Sequence, residues 1–223
     1  MNHRIWPTAR YADYCKQWCG AGRHYSRQVK RLQLLALGGL IGPVAFVGAW
    51  VLAGLTTKGY SPIDSAISDL ASVGASTRVL MTLGFVLFGI GLIAFGLALR
   101  TTLGGNAWIA AVATGACTIG VAANPLGGWT SDAVHATFAG LGYASLVALP
   151  LLAARPLAGR GYRTGARASV VIGAVSAACL LASTLGPAHG LWQRLGLTTG
   201  DVWIVTIAAA IVAGVDQLRV GAS

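Results

Sequence analysis

Asp132 and His135 stand three residues apart, and on a helix that spacing puts both on one face within hydrogen-bonding reach. A carboxylate that holds an imidazole in one tautomer suits a general base or a metal ligand, and it also suits a helix cap beside a satisfied histidine. The chain has six aspartates, no glutamate and four histidines, so each such group can be followed individually. Upstream, the run Ser61-Pro62-Ile63-Asp64-Ser65-Ala66-Ile67-Ser68-Asp69-Leu70-Ala71-Ser72 offers hydroxyls beside carboxylates, with Ser68 as a candidate nucleophile or donor and Asp69 next to it. Late in the chain, His189-Gly190-Leu191-Trp192-Gln193-Arg194 adds a second imidazole and a donor-rich Gln-Arg pair. The candidate catalytic set is Asp132, His135, Ser68 and Asp69; Ser65, Asn124, His189, Gln193 and Arg194 are candidate substrate contacts. No metal and no cofactor is expected. Cys15, Cys19 and His24 lack the fourth ligand and the spacing of a zinc site.

The elements that must position these residues are read from composition. Of 223 residues, 55% are hydrophobic and 10% charged, and the mean hydropathy is +0.68. A soluble domain carries about a quarter charged residues, so this chain lacks the polar coat of a water-exposed globule. The pattern predicts an all-α, polytopic transmembrane bundle of six spans, near Leu32–Leu55, Val79–Leu99, Ala107–Ala123, Ala133–Ala154, Ala168–Leu185 and Leu197–Val215. It divides the chain into a basic N-terminal arm (1–31), a membrane domain (32–218) and a short tail (219–223). The arm has no apolar core or small-residue cleavage site of a signal peptide.

The bases give the bundle a direction. Arg4, Arg10, Lys16, Arg23, Arg27, Lys30, Arg31, Arg100, Arg155, Arg160, Arg163, Arg167 and Arg219 fall on one side, and only Lys58, Arg78 and Arg194 on the other. Under the positive-inside rule this places both termini in the cytoplasm of a cell whose inner (plasma) membrane holds the protein. Asp64, Asp69, Asp132, Asp201, His135 and His189 then fall outside, with Asp201 near the start of the last span. The net charge of +10 sits in blocks between apolar spans, which points to anionic headgroups at the arm and away from nucleic acid.

Between spans, Ser61, Pro62 and Asp64 look like a helix start, and Ile63, Ile67 and Leu70 share one face at helical spacing. This predicts an amphipathic surface helix. Pro125 should end the third span, and Ser131 or Asp132 should cap the fourth. His135 then lies one turn inside the bilayer, where a polar group needs a partner. Pro43 and Pro150 fall within spans, and Gly38 and Gly42 have the GxxxG spacing that lets helices approach closely. Arg194 is expected either to pair with an outer aspartate or to meet a headgroup.

On the Tyr60-Ser61-Pro62 to Ser68-Asp69-Leu70 segment, the Asn124-Pro125 to Asp132 and His135 segment, and Gly190-Leu191-Trp192-Gln193-Arg194, the chain resembles the bacterial membrane proteins of the domain of unknown function 998 (DUF998) family. The resemblance covers about residues 32–218 and implies a multi-pass bundle without assigning a reaction. The outer Ser, Asp and His set also resembles the membrane hydrolase superfamily that includes alkaline ceramidases. Those enzymes hold zinc with three histidines, whereas here only His135 and His189 lie outside and no HxxxH pair exists. The residues leave three functions open: an enzyme acting on a lipid or lipid-linked substrate, a small-molecule or proton-coupled carrier, and a non-catalytic scaffold.

Overall fold

The computed structural model describes residues 28–214; all but the last four residues of the basic arm, its cysteines included, and the C-terminal tail lie outside that range. Each apolar stretch is a helix: α1 (Gln28–Thr56), α2 (Arg78–Thr102), α3 (Ala107–Ala123), α4 (Asp132–Gly159), α5 (Arg163–Leu185) and α6 (His189–Val212). Among the described residues the only other regular element is a 3-10 helix at Ile67–Ala71. Helices are what lipid demands, because every backbone N–H and C=O must be paired internally there. Five of the six are long and apolar enough to cross a membrane; α3, with 17 residues, is shorter and equally apolar.

All six expected spans coincide with helices, the third with the same ends and the others with at least one end shifted. The largest shift is in α6, which begins at His189 where the hydropathy pattern began at Leu197. Ala188 takes the left-handed conformation just before it (φ 60°), and the first turns of α6 carry buried Gln193 and Arg194. Those two residues depress the local hydropathy without interrupting the helix. The consequence is that Asp201, expected near the outer end of a span, is the thirteenth of 24 residues in α6.

Helices adjacent in sequence pack side by side, and α1 meets α6 to close the bundle. With lipid as solvent, close packing of small residues supplies the attraction. Gly38 and Gly42 of α1 do this against α2: a Cβ on Gly91 would lie 2.5 Å from the Gly38 carbonyl oxygen, and one on Gly42 would lie 3.3 Å from the Phe88 backbone. The GxxxG pair therefore serves an intramolecular contact. Phe95, Leu92, Leu99, Leu146, Leu149 and Ile204 fill the centre, while Val44, Leu55, Val79, Ile90, Val171 and Leu181 are exposed. An apolar exterior over an apolar interior is the surface of a body that faces hydrocarbon.

The predicted amphipathic helix at Ser61–Ser72 does not form. The Ser61 hydroxyl accepts the Asp64 N–H (3.2 Å) and donates to the Asp64 carboxylate (2.8 Å), making one turn only. Ala66 is then extended, and the 3-10 helix follows with Ile67, Ser68 and Leu70 buried while Ile63 stays exposed. The apolar residues thus point inward from a short tight turn. The segment is pinned by contacts to other helices, which local periodicity does not register.

Candidate functional site

The 3-10 helix places Ser68 against the first turn of α4. His135 Nε2 lies 2.9 Å from Ser68 Oγ, and His135 Nδ1 lies 2.7 Å from the main-chain carbonyl oxygen of Asn124. A carbonyl only accepts, so Nδ1 carries the hydrogen, and in the neutral ring Nε2 is the acceptor for the Ser68 hydroxyl. Both side chains are buried, Ser68 at 9% and His135 at 5% exposure. Asn124 can present its carbonyl because Pro125 ends α3 there, while its own amide donates to the Gly120 carbonyl at 2.8 Å and closes the helix.

Two residues of α6 hold the Ser68 segment from the other side. Gln193 accepts the Ile67 N–H at 2.9 Å and donates to the Tyr143 hydroxyl. Arg194 is 6% exposed, and its Nη1 donates to the carbonyls of Pro62 (2.8 Å), Ser65 (3.0 Å) and Gly190 (2.8 Å). Its Nη2 donates to the Tyr60 hydroxyl, and the guanidinium lies 5.2 Å from the Trp50 ring and 5.5 Å from that of Tyr60. Carbonyl dipoles and ring faces therefore neutralise this charge; among the described residues it has no carboxylate partner. Burial pushes the Tyr60 phenol above its ordinary range, with the Arg194 guanidinium pulling the other way. The Leu191 N–H also donates to the Ile63 carbonyl (2.9 Å), so the start of α6 and the first loop form one unit.

Beneath this unit is a small cavity of about 50 Å³, lined by residues of α1, α2, α3, α4, α6 and the 3-10 helix. Phe46, Phe85, Phe88, Phe138, Leu146 and Leu197 are its apolar walls, and Ser68, Tyr143 and Gln193 its polar groups. Thr114 and Thr118 also line it, but each donates to a carbonyl of its own helix. Tyr143 accepts from Gln193, and its own proton has no acceptor among the described residues. The site is an apolar pocket with a serine–histidine pair and a free phenolic donor.

Several expected roles change. Asp132 does not orient His135: its carboxylate accepts the Gly127 N–H at 2.9 Å, bracing the 124–131 loop. Asp69 lies beside Ser68 in sequence but turns to the Ala66 N–H (2.9 Å), which caps its own 3-10 helix. Ser65 contributes its carbonyl and not its hydroxyl, and His189 is exposed at the start of α6. Ser68, His135, Asn124, Gln193 and Arg194 do converge. Trp50, Tyr60 and Tyr143 complete the cluster and are absent from the sequence-derived set. For Tyr143 a signal existed, since counting turns of α4 from His135 leads through Ala139 and Gly142 to Tyr143 and Leu146, all of which line the cavity.

A family model described as a protein of unknown function (DUF998) matches residues 40–210. The chain belongs to the DUF998 family. The match spans every residue of the Ser68–His135 cluster and its cavity. Comparisons of this DUF998 protein with curated proteins and with solved structures found no match. It is an apolar multi-helix membrane protein, and the reading of its site rests on its own geometry.

Proposed function

We propose that this DUF998 protein is a membrane-embedded enzyme of the acyl-transfer or ester-hydrolysis class. Its substrate is an amphiphile whose reacting carbonyl reaches Ser68 at the edge of the phenylalanine-lined cavity. The observation that carries this is the Ser68–His135 pair at 2.9 Å with its tautomer set by the Asn124 carbonyl. In the first step Ser68 Oγ attacks the acyl carbon as Nε2 of His135 takes the hydroxyl proton. The tetrahedral oxyanion receives the Tyr143 proton as a hydrogen bond. Collapse expels the alcohol, which takes the proton back from His135. Water, or another alcohol, then releases the acyl group by the same steps in reverse.

In this reading all six helices cross the plasma membrane with the Ser68 end outside, both termini in the cytoplasm and the basic arm against anionic headgroups, an orientation that the charge asymmetry supports. The test is labelling of the purified protein with a long-chain fluorophosphonate, whose phosphorus Ser68 attacks with loss of fluoride. Label on the Ser68 peptide, abolished in Ser68→Ala and cut by about 10²–10⁴-fold in His135→Gln, is the expected result. Equal labelling of wild type and Ser68→Ala sinks the reading.

One observation favours a second reading. Both imidazole nitrogens of His135 and both ends of the Gln193 amide are used in tying the 3-10 helix, the end of α3, α4 and α6 to one another. That is also the construction of a strut in a non-catalytic protein. A strut predicts that His135→Gln lowers thermal stability with no ester or fluorophosphonate chemistry in the wild type.

A further inference from the structure

Asp201 belongs to none of these contacts. As the thirteenth of 24 residues in α6, it lies ~18 Å from either end of the helix at 1.5 Å per residue. That is mid-depth in a hydrocarbon layer ~30 Å thick. It is 3% exposed, and neither carboxylate oxygen has a hydrogen-bond partner. Among the described residues no other ionisable side chain has all its polar atoms buried and unpaired.

The groups that face α6 from its neighbours are already engaged or distant. Ser176 of α5 donates to the Gly196 carbonyl (2.8 Å), and Ser169 accepts the Trp203 indole N–H (2.8 Å). On α4, Tyr143 takes the Gln193 amide, His135 is bonded at both nitrogens, and Asp132 and Arg155 sit toward the two ends. Arg163 and Arg167 lie in the first turns of α5, whose remaining thiol is Cys179. From Gly38 to Thr56, α1 has no ionisable residue, with Lys30 and Arg31 at its start. Asp69 caps its own turn. On α6 itself, His189 is exposed and Arg194 is clamped to carbonyls two turns away. A carboxylate with no counter-charge at this depth costs several kcal/mol or more, so the group is held as the neutral acid.

The cavity wall comes within one helical turn of it along α6. Leu197, one turn from Asp201 on the same face of α6, lines the cavity. Leu146 of α4 also lines it and packs on Gly200, where a Cβ would lie 2.9 Å from the Leu146 Cγ. We infer that Asp201 is a proton-binding site at the centre of the membrane domain, sealed from the cavity by Leu146 and Leu197 and exchanging its proton with cavity water when those leucines move. Occupation of the cavity and protonation of Asp201 are then linked, because whatever displaces the leucines admits water to the acid. This holds whether or not Ser68 is a nucleophile.

The experiment is infrared spectroscopy of the full chain in lipid nanodiscs, wild type minus Asp201→Asn, followed after transfer to D₂O. A neutral acid and an amide match closely in shape, so the variant is expected to fold; selective ¹³C labelling of aspartate carboxyls gives the same reading in the wild type. At neutral pH the expected result is a carboxylic-acid C=O band that the variant lacks. Its shift on deuteration should be slow in wild type and about tenfold faster in Leu146→Ala or Leu197→Ala, the change produced by lowering an opening free energy by ~1.4 kcal/mol. The milder Leu→Val changes should accelerate it less. A carboxylate band in place of the acid band overturns the site, and deuteration unaffected by every leucine variant overturns the route.

Discussion

Replacing Arg194 with lysine preserves charge and tests whether the shape of the guanidinium matters. In the native site Nη1 and Nη2 act at two places, the first on the carbonyls of Pro62, Ser65 and Gly190, the second on the Tyr60 hydroxyl. A single ammonium cannot occupy both positions. At least the Tyr60 hydrogen bond is lost, at about 1.5–3 kcal/mol for a bond involving a charged group. The planar stacking over Trp50 and Tyr60 weakens as well, by about 0.5–1 kcal/mol. The total is about 3 kcal/mol, which at roughly 2–4 °C per kcal/mol for a chain of this size lowers Tm by about 6–12 °C. Arg194→Met should cost more, because it leaves the carbonyls of Pro62 and Ser65 without their donor. The assay is thermal unfolding of the purified chain followed by tryptophan fluorescence, with limited proteolysis of the 57–77 segment as a local probe. If Arg194→Lys melts within about 2 °C of wild type and the segment stays protected, the clamp contributes little and the reasoning fails.

Gly91→Ala should destabilise by about 1–3 kcal/mol by overpacking α1 against α2, since its Cβ would meet the Gly38 carbonyl at 2.5 Å; Gly48→Ala, with open space at its Cβ, should be neutral or slightly stabilising in the same melting experiment. Gln193→Leu orphans the Ile67 N–H and should cost about 1–3 kcal/mol, read as a lower Tm and earlier cleavage near Ser68. For topology, single cysteines in a background without native ones report orientation. An impermeant maleimide on intact cells should label Ser72→Cys and Trp129→Cys and spare Thr164→Cys, and the reverse pattern would invert the bundle.

Most of the bundle was legible because long uncharged runs have few alternatives in lipid. The start of α6 was not, because Gln193 and Arg194 look like loop residues until their partners on the first loop are known. The same blindness misplaced Asp201. The 3-10 helix was missed for a related reason: the 3.6-residue spacing of Ile63, Ile67 and Leu70 is genuine, but tertiary anchors set the conformation. At the site, the importance of His135 and Ser68 could be read from residue type, while their pairing could not, since they are separated by 67 residues. The nearby carboxylate of Asp132 looked like the natural partner of His135. A main-chain carbonyl, which sequence does not distinguish from any other, took that position.

The stitching of the first loop to α6 has a consequence for biogenesis. The Ile67–Gln193 and Pro62–Arg194 contacts join residues 126 and 132 positions apart, and helices enter a membrane in order as the chain is made. Until the last helix is inserted, the Ile67 N–H and the Pro62 and Ser65 carbonyls wait without their partners, and Ser68 is held only from the α4 side. A nascent or truncated chain that stops before α6 therefore holds five helices and an incomplete site. Completion of the site marks completion of the protein, and a quality-control protease that samples the 57–77 segment would distinguish finished copies from unfinished ones.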